Sequence, residues 1–82
     1  MQWAEGSHVS VDRVWFVSSL LLRVMERGGH HRLLRASGPN SPEHAVSPTE
    51  MRHALSFIRR LGYEVPEVVV DEGEVWNVTG RL

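Results

Sequence analysis

VSPTEMRHALSFIRRLGYEV, residues 46–65, carries the strongest local signals in the chain. Ser47 is suited to cap a helix and Pro48 to open its first turn. Glu50 stands where its carboxylate can return to the Ser47 backbone N–H, completing a capping box. Met51, Ala54, Leu55, Ile58 and Leu61 then recur at helical spacing as one apolar stripe, and Gly62 can take the left-handed conformation that ends a helix. The pattern predicts a helix over 48–61. Its opposite arc holds Arg59, Arg52, Ser56, Thr49, Arg60 and His53, with no apolar residue among them. One face is built for a core; the question is what the other face meets.

Towards the N-terminus, VDRVWFVSSLLLRVMER, residues 11–27, predicts a second helix. Ser10 can cap it, Asp12 lies favourably in its first turn, and Gly28-Gly29 stops it. At 100° per residue, Val11, Val14, Trp15, Val17, Leu20, Leu21, Leu22, Val24 and Met25 cover more than half its circumference, interrupted by Arg13 and Ser18. A surface helix needs an apolar stripe of only ~100° or somewhat more. The arc therefore implies either a central helix or one shared with a second copy. On the second alternative a homodimer interface would draw on Val11, Trp15, Leu20, Leu22 and Val24. Residues 1–9 read as a flexible arm, leaving 10–82 as a single α+β domain.

Between the helices, HHRLLRAS (30–37) fits a short helix or a short strand equally well. GPNSPEHAVS (38–47), with two prolines and a glycine, reads as a loop. Beyond them, EVVVDEGEVWNVT (67–79) predicts a β-hairpin: two β-branched runs flank Asp71-Glu72-Gly73. Pro66 marks the start of the first strand or an edge. Trp76 and Val78 share a face and should pack on the helices.

Composition narrows the possible functions. The 82 residues suffice for one small domain. With no cysteine, disulfides, thiolate nucleophiles and zinc–thiolate sites are excluded. VWFVSSLLL (14–22) is far short of the ~20 residues of a membrane span, and no basic segment or cleavage motif marks it as a secretion signal. A cytoplasmic protein without membrane contact is expected. The net charge is −1, but it is unevenly spread. Residues 1–63 carry eight arginines against five acids, whereas 64–82 carry Arg81 against Glu64, Glu67, Asp71, Glu72 and Glu74. All nine basic residues are arginine, which either GC-rich codon usage, the preferred reading, or a need for planar, bidentate donors to phosphate or carboxylate would produce.

His8, His30, His31, His44 and His53 show none of the i, i+3 or i, i+4 pairings that hold a metal on a helix. No nucleophile elbow, phosphate loop or paired-carboxylate motif is present. Neither an enzyme nor a cofactor is expected.

Helix, short element, capped helix and hairpin, in that order, resemble the second half of a winged helix-turn-helix domain. The resemblance covers about residues 30–79, with generic motifs. Ser47-Pro48 opens the recognition-helix segment, Arg52 and Ala54-Leu55 follow, and Leu61-Gly62-Tyr63 leads into the wing. It implies a preceding helix over 30–37, a wing over 68–78, and a transcriptional regulator binding double-stranded DNA through Thr49, Arg52, His53, Ser56, Arg59 and Arg60. Two features depart from the family: the stretch 38–47 exceeds the usual turn of three to four residues, and the wing tip is acidic where phosphate calls for basic residues. Those acids motivate the alternative, a non-enzymatic interaction module, adaptor or inhibitor. It would bind a protein partner through Asp71, Glu72 and Glu74 or through the apolar first helix.

Overall fold

The computed structural model describes residues 9–36, 43–70 and 75–80. Along them the chain forms α1 (Val11–Arg27), β1 (Gly29–Leu34), α2 (Pro48–Arg60), β2 (Glu67–Val70) and β3 (Val75–Gly80). The result is a small α+β domain of two helices and a three-stranded antiparallel sheet, ordered β1-β3-β2.

Both helices begin where their caps dictate. The Ser10 hydroxyl accepts from the Arg13 N–H at 3.1 Å. At α2 the Ser47 hydroxyl accepts from the Glu50 N–H at 3.1 Å, while the Glu50 carboxylate accepts from the Ser47 N–H at 3.0 Å. Their ends follow from backbone chemistry. Gly28 and Gly29 have φ of 72° and 81°, and Gly62 has φ of 96°, a region costly for residues with a Cβ. Helix α2 stops at Arg60, with Leu61 as its cap. Leu61 is 53% exposed and so leaves the apolar stripe to which its spacing assigned it.

The helix that the resemblance implied over 30–37 is not formed, because Gly29–Leu34 is the strand β1. Its residues pair with β3 in continuous register from Gly29↔Gly80 to Leu34↔Val75. His31 and Leu33 fall on the same side as Val78 and Trp76, while His30, Arg32 and Leu34 fall on the other. Locally the segment satisfies either period. Pairing with β3 takes up the backbone polar groups along one side of the segment, and that decides the matter.

Helix α1 lies in the middle, packing on α2 on one side and on β3 and β1 on the other. Its wide apolar arc is largely explained by this position. Val17, Leu21 and Val24 join Met51, Ala54 and Ile58 of α2 and Trp76 and Val78 of β3 in one core. Ser18, which interrupts the arc, is buried with them. Gly80 lets helix and sheet approach closely, for a Cβ there would lie 2.4 Å from the Val24 carbonyl oxygen.

The stretch before α2 is fastened to this core. Val46 bridges to Arg35, accepting from the Ala36 N–H at 2.8 Å and donating to the Leu34 carbonyl at 3.0 Å. The Val46 carbonyl also accepts from the Trp76 indole N–H at 2.8 Å. Among the described residues, no helix is long and apolar enough to cross a membrane.

Candidate nucleic-acid interface

The position of α2 is set by a contact that periodicity does not announce. Arg13, from the first turn of α1, grips the Glu50 carboxylate with Nε and Nη2 at 3.0 and 3.1 Å. The same guanidinium donates to the Glu43 and Ala45 carbonyls, both at 2.7 Å. One side chain thus ties α1, the segment before α2, and the capping box. Partial burial on its own would raise the Glu50 carboxyl's pKa. The hydrogen bond and charge of Arg13, with the Ser47 N–H and hydroxyl, outweigh it and hold Glu50 below its ordinary value. The bond to Glu50 in turn raises Arg13. The Glu50 carboxylate and the Ser47 hydroxyl thereby occupy the Ser47 and Glu50 N–H groups at the start of α2.

The outer side of α2 is the arginine face. Arg52, Ser56, Arg59 and Arg60 are exposed, and Thr49 and His53 are half-buried. Six residues read as one arc do lie on one surface. Successive side chains turn by about 100°, which puts Arg59 and Arg52 on one shoulder, Ser56 and Thr49 along the crest, and Arg60 and His53 on the other shoulder. Among the described residues, no acid pairs with Arg52, Arg59 or Arg60.

The shoulder with His53 and Arg60 borders an apolar groove. Val9, Val11, Val14 and Trp15 form one wall, and His53, Ser56, Phe57 and Arg60 form the other, around about 500 Å³. The Trp15 and Phe57 rings are tilted against each other with centroids 6.0 Å apart. Neither the groove nor the grip of Arg13 was foreseen from sequence. The signal available was Trp15 and Phe57 on helix flanks, which spacing alone cannot bring together.

The remaining candidates are dispersed. Of the residues assigned to a dimer interface, Val11 and Trp15 are 81% and 64% exposed, and Leu20 and Leu22 are half-buried. Val24 is a core residue of this chain, only 6% exposed, because it faces the sheet beside Gly80. Asp71, Glu72 and Glu74 lie outside the described residues, as does all but Val9 of the expected arm.

His30 donates to the Asn77 side-chain oxygen at 3.0 Å, and His31 donates to the Gly28 carbonyl at 2.8 Å. Among the described residues, no three His, Asp or Glu side chains converge on a point. No protein-family model, curated protein or solved structure matches the chain.

Proposed function

We propose that the protein is a small DNA-binding regulator that lays the exposed side of α2 along duplex DNA in the manner of a winged-helix recognition helix. The observation that carries this reading is the trio Arg52, Arg59 and Arg60: exposed guanidiniums on one helix face with no acid partner among the described residues. A helix with its side chains is ~10–12 Å across, a fit to a major groove ~12 Å wide. Arginines on both shoulders would reach the two phosphate walls, while Ser56 and Thr49 on the crest would face base edges. The bracing of α2 by Arg13 and its capping box supports the same use, since a reading helix gains from a fixed orientation. The winged-helix likeness now rests on α2 and the hairpin that follows, because the element before α2 is a strand.

A salt series on random-sequence duplex tests the reading. Three phosphate contacts should give a log–log slope of about −3, and Arg52→Ala and Arg60→Ala should each reduce its magnitude by about 1. Absence of duplex binding at low salt would refute it. The second reading, a protein-interaction module, is favoured by the exposure of Val11 and Trp15 and predicts that refuting outcome.

A further inference from the structure

We infer that the groove between the first turns of α1 and the side of α2 binds a small amphipathic anion. Its ligand is an aromatic or alkyl body of about eight to ten carbons bearing a carboxylate, sulfonate or phosphate. Val9, Val11, Val14, Trp15 and Phe57 supply an apolar lining, while His53, Ser56 and Arg60 supply hydrogen-bond donors along one side. Among the described residues that line it there is no acid and there is one arginine, so charge complementarity selects an anion. Val11 and Trp15 remain 81% and 64% exposed in a chain small enough that uncovered apolar surface is a substantial cost. The Trp15 ring packs tilted against Phe57, with centroids 6.0 Å apart.

Size separates this occupant from larger ones. The volume of about 500 Å³ falls within the range of small-molecule sites. From His53 to Arg60 the α2 wall runs about 10 Å at 1.5 Å per residue. That length accepts one short chain or a bicyclic ring with its charged end at Arg60. A stable protein interface takes about 20–30 residues from each partner, whereas eight described residues line this groove. Next to the groove the Arg13 guanidinium lies 5.2 Å from the centre of the Phe16 ring, which is itself 43% exposed, and Arg23, Glu26 and Arg27 occupy exposed positions farther along α1.

A functional consequence rests on the DNA-binding proposal. His53, Ser56 and Arg60 belong to both surfaces, so an anion in the groove takes donors that duplex DNA would use. Ligand and DNA would then exclude one another.

The experiment uses the full chain, first without DNA, with 5-(dimethylamino)naphthalene-1-sulfonate, whose body is a bicyclic ring, as a fluorescent probe and decanoate as its competitor. One saturable probe site is expected, with a dissociation constant on the order of 10–100 μM. Decanoate should displace the probe, and decan-1-ol, which lacks the charge, should do so about tenfold less well. Arg60→Gln should abolish that difference. Val11→Ser should weaken both competitors, with circular dichroism checking that the fold is kept. Probe binding indifferent to Arg60→Gln and Val11→Ser would overturn the site. So would equal displacement by acid and alcohol, or a concentration-dependent dimer dissociated by Val11→Ser with no probe bound. Duplex is added second. Its release at the decanoate concentration that empties the groove of probe supports exclusion, whereas a persistent ternary complex overturns it. Intact probe binding with no duplex binding would discard the DNA reading and its exclusion clause while leaving the anion site standing.

Discussion

Replacing Arg13 by alanine should destabilise the fold by about 3 kcal/mol, although its side chain is 29% exposed and arginine is not usually a core residue. The paired side chains are partly sheltered, at 29% and 18% exposure. Their two-pronged contact should therefore contribute more than the ~0.2–1 kcal/mol of a solvent-exposed pair, about 1–2 kcal/mol. Loss of the bond to the Ala45 carbonyl adds about 1 kcal/mol, because that residue is 3% exposed and water cannot readily replace the donor. The bond to the exposed Glu43 adds little, and the stacking on Phe16 adds about 0.5 kcal/mol. A domain of this size has about 4–12 kcal/mol in all, so the loss is a large share of it. Urea unfolding followed by circular dichroism should show the midpoint falling by about 3 M, taking ~1 kcal/mol per M for so small a chain. Arg13→Lys, which keeps the charge but loses the fork, should recover only about half of the loss. A double-mutant cycle with Glu50→Ala should give a coupling of about 1–2 kcal/mol. An Arg13→Ala variant within ~0.5 kcal/mol of the parent, or strictly additive substitutions, would refute the bracing role assigned to this residue.

Two further outcomes follow from particular contacts. Glu50 is held below its ordinary pKa, so its contribution is complete above the unfolded value of ~4.3 and is lost as pH falls through the lower folded value. The stability gap between the parent and Glu50→Gln, from urea titrations at several pH values, should narrow below about pH 4, and a constant gap would contradict the assignment. Gly80→Ala should cost about 2–4 kcal/mol or prevent folding, because the added Cβ would meet helix backbone at 2.4 Å from the Val24 oxygen. A thermal melt unchanged from the parent would mean that α1 and β3 are not so closely apposed.

What the sequence determined by itself was local. Ser10, Ser47 and Glu50 set the helix starts through bonds made within four residues, and Gly28, Gly29 and Gly62 set the ends through φ. The alternation that turns Trp76 and Val78 inward is likewise a property of a few neighbouring residues. The arginine arc on α2 was legible for the same reason, since helical spacing alone puts its six residues on one side. Tertiary structure decided what depends on partners distant in sequence. HHRLL became a strand because β3 was there to pair with it, and the arc of α1 became mostly core because α2 and the sheet flank it. Arg13, an apparent flaw in that arc, became the clasp on Glu50, 37 residues away. Trp15 and Phe57 became the lining of one groove. Local sequence specifies backbone direction and which face a side chain takes. It cannot specify what that face meets, because the meeting exists only once the whole chain has closed on itself.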